Sequence, residues 1–398
     1  MSSKDKKINI VMFNMSAHSE WQAGVHNRNH QILTNLLKNE EVSRILAVDF
    51  LPHTFKRVVR NYFENVLSSS DYKIVDRGIF SKTFQVDDKL IVHSSVTSKF
   101  SKKLFYNNLK NLLKKLKFED YLLWSYYPLE VGYFDQLRPD LNIFDAVDDW
   151  SEHPSFIKFK EILKANYEKI AEQADIIFTV AEQQQAMFDK PEKVFWLPNG
   201  VDLKHYQTEY QIVNRDIGQI KSPVIGYLGT IQARFDLELL EYLVKANPEK
   251  NFVLVGPVWY RRIWENTKMD IMERFRSYNN VFFLGRKPYE EIPMYLQQFD
   301  LGIIPHKLDQ FIRSTNPMKI YDYLASGLPI VSTQGTGIKE IDDLVLITDD
   351  FKEFNQLMQK ALSDNSPAEK AKRLEVIKNH SWLRRVDNML EIIKRHYE

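Results

Sequence analysis

The stretch FIRSTNPMKIYDYLASGLPIVST, residues 311–333, decides how the rest of the sequence is interpreted. Apolar residues recur at helical spacing in its middle, Pro317 has the fixed φ that suits a first helical turn, and Gly327 follows the last turn. The three residues before the proline carry capping oxygens: Ser314, Thr315 and Asn316. Residues 328–332 form a compact apolar run. The stretch therefore predicts a short helix followed by a buried strand of a parallel sheet.

The start of this helix suits a phosphate group, because its first backbone N–H groups are unpaired and carry partial positive charge. Arg313 and Lys319 add to that charge. Thr315, Lys319 and Asp322 are spaced i, i+4 and i+7, so a carboxylate lies roughly 10 Å from the phosphate end, where ribose hydroxyls could bind it. The alternative is an ordinary capped helix with a surface ion pair between Lys319 and Asp322.

The pattern TNPxKxYxYLAxGxPIV, residues 315–331, resembles the donor-binding helix of retaining GT-B glycosyltransferases of family 4. It is similar in particular to bacterial cell-surface polysaccharide enzymes such as those of teichuronic acid biosynthesis. The resemblance implies an α/β fold of GT-B type, with two Rossmann-like domains facing each other across a cleft. It assigns donor binding to Thr315, Asn316, Pro317 and Asp322. The family usually has Glu where this chain has Asp322.

The length of 398 residues allows two domains of ordinary size, and 44% apolar content is typical of a globular protein. We expect an acceptor-side domain over residues 1–202, a nucleotide-sugar-binding domain over 203–375, and a polar linker at about residues 202–222. Residues 376–398 predict an amphipathic helix, which the resemblance packs back on the first domain and which its pattern alone would equally pack on the second. Cysteine is absent, which fits a reducing cytoplasm. The N-terminal apolar run is too short for a signal peptide, and no segment predicts a membrane span.

Positive charge is concentrated in the first third of the chain. Residues 1–118 contain 20 Lys/Arg and 10 Asp/Glu. The segment that begins with Lys99 and ends with Phe118 has seven lysines, no acid and leucines at helical spacing. This pattern indicates either a helix that lies on an anionic membrane surface, at the inner face of the plasma membrane, or a surface helix with a core-facing stripe and solvated lysines. No nucleic-acid recognition motif accompanies the charge.

Alternating strands and helices are predicted in the first half, although residues 51–88 are hard to assign. The run NIFDAVDDW, residues 142–150, places Asp148 and Asp149 just after a strand, where parallel sheets bind ligands. With His153 they could orient the acceptor or sugar hydroxyls; a turn or helix cap is the alternative. The resemblance implies that Gly24, His26 and Arg28 approach the acceptor or the donor phosphates. His26 and His30 are spaced like metal ligands but lack a third, so no metal site is predicted.

Six strands of a parallel sheet are predicted in the second half, and three of them end in glycine-bearing loops. The resemblance places Gly229, Thr230 and Arg234 near the diphosphate. It places Gly285, Arg286 and Tyr289, with Lys287 and Pro288 in the same loop, beside the nucleotide base. Family members often have Arg and Lys five residues apart after the first glycine loop. Thr230 and Phe235 occupy that spacing here, so Arg234 or Arg313 must substitute.

These observations predict a glycosyltransferase of hexosyltransferase type. It would move a sugar from a nucleotide diphosphate donor, with a UDP-sugar favoured, to a glycan or lipid-linked acceptor in cell-surface polysaccharide synthesis. We expect retention, no cofactor, and charge stabilisation by Arg313 and Lys319. Ser314 stands where the family has the first acid of its EX7E pair. That departure keeps two alternatives open, a GT-B nucleotide-sugar epimerase and a noncatalytic nucleotide-sugar-binding subunit.

Overall fold

The computed structural model describes residues 7–69, 71–208, 216–258, 271–333 and 337–397. Contacts between Cα atoms divide the chain into two units. The first unit comprises Met1–Leu197 together with Val386–Glu398, and the second comprises Pro198–Arg385. The three-part division that we expect at residues 202 and 375 stays a prediction.

A nine-stranded sheet forms the centre of the first unit, in the order β3-β4-β5-β2-β1-β6-β7-β8-β9. All neighbours are parallel except β3 with β4 and β4 with β5. The inner strands are short, continuous apolar runs because helices cover both faces of a parallel sheet. The strands are β1 Ile8–Phe13, β2 Val42–Val48, β3 Lys73–Arg77, β4 Ser81–Gln85, β5 Leu90–Ser95, β6 Leu122–Ser125, β7 Leu141–Ala146, β8 Ile176–Thr179 and β9 Val194–Trp196.

In the part of the first unit that the structure describes, eight α-helices connect these strands, and the last helix of the chain returns to this unit. Its Lys394 forms a 2.6 Å ion pair with Glu41, which precedes β2. Tyr62–Leu67 continues α3 as a π-helix. The helices are α1 His18–Gln22, α2 Arg28–Lys38, α3 Phe55–Asn61, α4 Thr97–Phe100, α5 Lys102–Leu116, α6 Tyr133–Gln136, α7 Lys160–Gln173 and α8 Glu182–Gln185.

A wholly parallel six-stranded sheet forms the centre of the second unit, in the order β12-β11-β10-β13-β14-β15. The chain runs outward from β10 to β12 and then continues on the other side of β10. Such a reversal of strand order opens a crevice at the carboxyl ends of the strands. The strands are β10 Val224–Leu228, β11 Asn251–Val255, β12 Val281–Gly285, β13 Leu301–Ile304, β14 Ile330–Ser332 and β15 Leu346–Ile347.

Within the described ranges, nine α-helices follow β9. The helix predicted from residues 311–333 is α14, which ends at Ala325; Gly327 follows it, and its φ of 75° suits the left-handed position after a helix. The helices are α9 Leu203–Gln207, α10 Leu237–Ala246, α11 Ile271–Phe275, α12 Ile292–Leu296, α13 Gln310–Arg313, α14 Met318–Ala325, α15 Phe351–Ser363, α16 Pro367–Ile377 and α17 Trp382–Tyr397. Of these, α17 runs from the second unit into the first.

The predicted α/β class is confirmed, and two details are corrected. The segment 51–88, which sequence periodicity leaves unassigned, contains α3, the π-helix and the β3–β4 hairpin. The polar segment predicted as a linker, residues 202–222, contains α9 and a short 3₁₀-helix, because Tyr206 and Ile217 are buried in the core of the second unit. Residues 209–215 of that segment lie outside the described ranges.

The basic segment predicted as one helix over residues 99–118 forms the end of α4 and the whole of α5, and the leucines of α5 are buried except Leu104. Phe105, Leu109 and Leu113 belong to the core of the first unit, so they are not available to a lipid surface. Lys102 and Lys115 bind Glu130 and Asp76. The arrangement favours the surface-helix interpretation of α5. Within the described ranges, no helix is both long and apolar enough to cross a membrane.

Candidate active site

The first turn of α14 has no side-chain cap, contrary to the capping oxygens that the sequence offers. The helix begins at Met318 after Pro317, whose ψ of 112° is extended. The Thr315 hydroxyl donates instead to the Ile312 carbonyl over 2.9 Å. A helix start without a side-chain cap leaves its amides for a ligand to satisfy, which is the arrangement that binds anions.

Asn316 is committed to the protein itself. Its Oδ1 accepts the Asn199 amide over 2.9 Å, and its Nδ2 donates to the Tyr321 hydroxyl over 3.0 Å and to the Gly337 carbonyl over 2.7 Å. The Asn199 side chain donates in return to the Asn316 carbonyl over 2.7 Å. Because Asn316 is buried and its side-chain groups are bonded, it positions the start of α14 rather than offering a free group to a ligand.

Lys319 lies at the crevice as a half-buried cation. Its Nζ is 3.1 Å from the Tyr227 hydroxyl, 3.4 Å from Nε2 of His306, and 4.5 Å from the centre of the Tyr227 ring. Burial, and then the charge of Arg234, hold the pKa of Lys319 well below its usual range. Burial also keeps the pKa of His306 well below its ordinary value, so that imidazole is neutral. The environment of Lys319 therefore disfavours its charge.

Arg234 is the second cation of this crevice. Its Nε is buried without a hydrogen-bond partner in the described part of the chain. Neither Arg234 nor Lys319 forms an ion pair with a described carboxylate, including Asp322. The expected alternative, a surface ion pair between Lys319 and Asp322, is therefore not formed. Two neighbouring cations that lack a counter-ion favour an anionic ligand, because burying unpaired charge is costly.

Asp322 lies on α14 three residues after Lys319 and is half-buried. The buried Tyr206 hydroxyl of α9 lies near its carboxylate. Burial raises the pKa of Asp322 to about 7, although Tyr206 and then Lys319 act in the opposite direction. The sequence does not reveal this neighbour, because Tyr206 falls in the segment predicted as a linker.

Three glycines with positive φ follow one another across β10, β11 and β12. We call Gly229, Gly256 and Gly285 the glycine row; their φ angles are 133°, 148° and 69°. A Cβ on Gly229 would lie 3.2 Å from Nζ of Lys319, and a Cβ on Gly256 would lie 2.1 Å from the Gly229 carbonyl oxygen. The Gly256 amide donates to the Gly285 carbonyl over 2.9 Å. Backbone therefore approaches the cation where a side chain could not fit.

The loop predicted to border the base follows β12. Tyr289 stacks on His205, with ring centres 4.0 Å apart and planes at 9°. Lys287 anchors the loop through a 2.6 Å ion pair with Asp216, whereas Arg286 is exposed. Burial lowers the pKa of His205. A flat stacked pair beside Gly285, where a Cβ would meet nothing within 4 Å, offers space and an aromatic edge for a planar ligand group.

Two other predicted donor-site residues lie at the ends of short elements. The Thr230 carbonyl accepts from the Tyr227 hydroxyl over 3.3 Å, which places this loop beside Lys319. Arg313 is exposed at the end of α13. In the second unit the structure thus brings Gly229, Thr230, Arg234 and Lys319 together at the carboxyl end of β10.

The predicted acceptor-side residues follow β7 in the first unit. Asp149 accepts the Ser151 amide over 2.9 Å and its hydroxyl over 2.6 Å, while Nδ1 of His153 accepts the Ser155 amide over 3.0 Å. The Asp148 carbonyl accepts from the Tyr167 hydroxyl over 3.3 Å. Asp149 and His153 therefore do serve a turn and a helix cap, the alternative that the sequence left open. All three remain half-buried at the carboxyl end of the sheet.

The first loop differs from expectation at Arg28. Its guanidinium is fully buried in a 2.9 Å ion pair with Asp145, so it is a core residue and does not face a ligand. Gly24 is exposed, with a φ of 84°. The rings of His26 and His30 lie 4.7 Å apart. In the described part of the chain, no group of three metal-ligating side chains comes together.

A cavity of about 120 Å³ opens at the carboxyl ends of β1, β2 and β5, and the sequence does not predict it. Asp49 lies at its base, where it accepts the His18 amide over 2.8 Å and the Ser94 hydroxyl; burial raises the pKa of Asp49 to about 7. Lys82, on β4, also lines the cavity. The cavity depends on the β3–β4 hairpin, which sequence periodicity does not predict. The rings of Tyr72 and Phe84 stack at 14° along the wall.

The fold and the crevice define a class. The chain has two units with Rossmann-like sheets, and residues 222–364 match the family described as Glycosyl transferases group 1. The predicted GT-B class and glycosyltransferase activity are thereby confirmed. Over 352 residues the chain is 23% identical to TuaH of Bacillus subtilis (strain 168), covering 84% of this chain and 82% of that protein. The name of TuaH describes a glycosyltransferase of teichuronic acid biosynthesis.

Solved structures agree on the fold. Sucrose-phosphate synthase of Thermosynechococcus elongatus superposes with a TM-score of 0.69 at 16% identity, covering 98% of this chain and 99% of that one. HepE of Anabaena, in complex with UDP-glucose, superposes with a TM-score of 0.65 at 14% identity, covering 98% of this chain and 100% of that one. Trehalose-6-phosphate synthase of E. coli, bound with UDP-2-fluoro glucose, superposes with a TM-score of 0.65 at 13% identity, covering 97% of this chain and 99% of that one.

Proposed function

We propose that this glycosyltransferase transfers a sugar from a UDP-sugar to a hydroxyl of a glycan or lipid-linked acceptor in cell-surface polysaccharide synthesis, with retention. The observation that carries the donor proposal is the pair of cations, Lys319 and Arg234, that lack a described carboxylate partner beside the open start of α14. A diphosphate would supply the missing counter-charge. The UDP-glucose complex of HepE and the name of TuaH support the choices of donor and of pathway.

The donor would lie along the crevice, and its diphosphate, ribose and base would contact different residues. The diphosphate would bind Lys319, Arg234 and the amides at the start of α14, with Thr315 and Pro317 shaping that turn. Asp322 would accept hydrogen bonds from the ribose, and Tyr289 with Gly285 would border the base. Arg286 and Arg313, both exposed, would contribute long-range positive charge. Asn316 would act by holding the turn in place.

The acceptor side would be built by the first unit. The cavity around Asp49 combines hydrogen-bonding groups with the stacked rings of Tyr72 and Phe84, a combination that suits the polar edges and apolar faces of a sugar ring. Its volume is about eight times the ~15 Å³ that one water needs. Asp148, Asp149 and His153 would orient acceptor or sugar hydroxyls, and Gly24 would leave room at the first loop.

In the proposed reaction the bond between the sugar C1 and the diphosphate oxygen breaks, and a bond from C1 to the acceptor oxygen forms on the same face. The acceptor proton passes to the leaving phosphate oxygen. Negative charge grows on the diphosphate as it leaves, so Lys319 and Arg234 would stabilise the transition state more than the ground state. No metal ion is required for this charge balance.

Calorimetry tests the donor site. Wild type, Asp322→Ala and the exposed control Asp349→Ala would be titrated with UDP, GDP, ADP, CMP and dTDP. We expect UDP to bind best, Asp322→Ala to lose about 1–3 kcal/mol of binding free energy, and the control to bind as wild type. Absence of binding by every nucleotide would overturn the proposal.

Turnover distinguishes the remaining alternatives. The nucleotide sugar that binds would be incubated with and without a lipid-linked glycan acceptor, and the products analysed by NMR. Transfer with the donor's anomeric configuration supports the proposal. Free epimerised nucleotide sugar formed without acceptor would indicate an epimerase, and binding without turnover of any acceptor would indicate a noncatalytic subunit.

A further inference from the structure

Six exposed apolar side chains form one surface on the first unit, which we call the apolar patch: Phe55, Val59, Phe63, Ile79, Phe80 and Phe100. Ile79 is 77% exposed, Phe55 71% and Phe63 62%. Single exposed apolar residues are ordinary on a protein surface, but a contiguous group of them marks an interaction site.

The patch is contiguous through its rings and its helix. Tyr62 lies between Phe63 and Phe80, with ring centres 5.8 and 6.0 Å away, and Phe80 lies 5.4 Å from Phe100. Phe55, Val59 and Phe63 follow at steps of four residues. Residues four apart lie on the same face of a helix, so these three side chains form a stripe along α3 and the π-helix that follows it.

Positive charge surrounds the patch. Lys56, Arg60, Lys99 and Lys103 are exposed on α3, α4 and α5. Residues 53–104 contain ten Lys/Arg and five Asp/Glu. Two of the acids are already paired, Glu64 with Arg60 over 2.8 Å and Asp76 with Lys115 over 2.6 Å. Lys99 also bonds the His53 carbonyl over 3.1 Å, which joins the α4 side of the patch to the start of α3.

We propose that the apolar patch binds the surface of an anionic lipid bilayer. The phenylalanines and Ile79 would enter the region between head groups and acyl chains, and the surrounding Lys and Arg side chains would contact lipid phosphates. Apolar side chains framed by cations are complementary to such a surface, in which apolar chains lie beneath anionic head groups. The contact is made by α3, the β3–β4 turn and α4, not by the leucine stripe of α5, which is buried.

Vesicle sedimentation with the full chain tests the patch. The vesicles would be phosphatidylcholine alone, or phosphatidylcholine with phosphatidylglycerol. Phe55→Ser combined with Phe63→Ser removes the stripe. The matched control combines Ile157→Ser and Ile162→Ser, which change two apolar residues of the same unit that are 51% and 55% exposed. Circular dichroism melting would verify that both variants are folded.

We expect wild type and control to bind the anionic vesicles at least about tenfold more tightly than neutral vesicles, and added salt to weaken that binding. The patch variant should bind about tenfold or more weakly than the control. Equal binding by patch variant and control would overturn the proposal, as would equal binding to both vesicle types. A dimer of wild type that the patch variant abolishes, without vesicle binding, would assign the patch to a second copy instead.

Discussion

Asn199 donates two hydrogen bonds to Asn316, one from its backbone and one from its side chain. The Asn199 amide donates to the side chain of Asn316, and the Asn199 side chain donates to the backbone of Asn316. Asn199 belongs to the Pro-Asn-Gly turn where the second unit begins. This turn and the start of α14 are therefore held as one element, although 117 residues separate them.

Replacing Asn316 with Ala tests that element. The substitution leaves the Asn199 amide and the Gly337 carbonyl without these partners, so we expect the free energy of unfolding to fall by about 1–3 kcal/mol and nucleotide affinity to fall with it. Asn166→Ala is the control, since Asn166 donates a single 2.7 Å hydrogen bond in the first unit. Thermal melting and calorimetry would measure both effects. Wild-type affinity in Asn316→Ala would contradict a positioning role.

Lys319→Met separates binding from stability. Methionine keeps the length and the apolar stem but removes a cation that burial disfavours, so the free energy of unfolding should stay the same or rise by about 1–2 kcal/mol. Nucleoside diphosphate affinity should fall at least about tenfold. The exposed Lys352→Met serves as control. A variant that is destabilised and still binds diphosphate would show that Lys319 is only structural.

Donor binding should take up a proton. The pKa of Lys319 is well below its usual range without ligand, and the charge of a bound diphosphate raises it. At a pH where Lys319 is partly neutral, binding restores its proton. Titrations in two buffers of different ionisation enthalpy measure the uptake, expected to be below one proton per site. The uptake should be absent in Lys319→Met, and its persistence there would assign it to another group.

Asp322→Asn should change the pH dependence of stability. The pKa of Asp322 in the folded chain is about 7, above its unfolded value, so the folded state holds this proton more tightly. Its stabilising contribution is complete below the unfolded pKa and is lost as pH rises through about 7. Asn cannot ionise, so the variant should gain at most about 4 kcal/mol relative to wild type at about pH 8.5 and nothing at low pH.

Denaturant unfolding across this pH range would measure the Asp322→Asn effect, with Asp349→Asn as the exposed control. The same variant should bind nucleotide more weakly, because an amide replaces the acceptor proposed for the ribose. A stability gain that is constant with pH would show that the carboxyl does not titrate in this range.

The second unit was predictable to within a few residues because its strands are buried on both faces and appear as apolar runs. Asn251–Val255 and Leu301–Ile304 are two such runs. The partner of Asp322 was not predictable, since Tyr206 gives no sign in its own segment that it reaches α14. Contacts between distant residues leave no local pattern.

The first unit was harder to predict from the sequence, because in several segments the local pattern and the tertiary packing conflict. The basic segment of α5 has the amphipathic spacing of a membrane-surface helix, but the same leucines fill the core. The β3–β4 hairpin lacks clear alternation, so neither the position of Lys82 nor the cavity that it lines could be predicted. Arg28 looked like a ligand-binding cation, yet burial with Asp145 made it part of the core. Periodicity identifies a face but not what covers it.

The glycine row has an evolutionary consequence. A side chain on Gly256 would displace the Gly229 carbonyl, and Gly229 in turn lies against Lys319. The effect of a substitution at one strand end therefore depends on the residue at the next, so these positions are epistatic. A substitution at Gly256 would shift Gly229 at the end of β10, and that shift would move the backbone next to Lys319. A lineage could therefore replace one glycine only after its neighbours had changed.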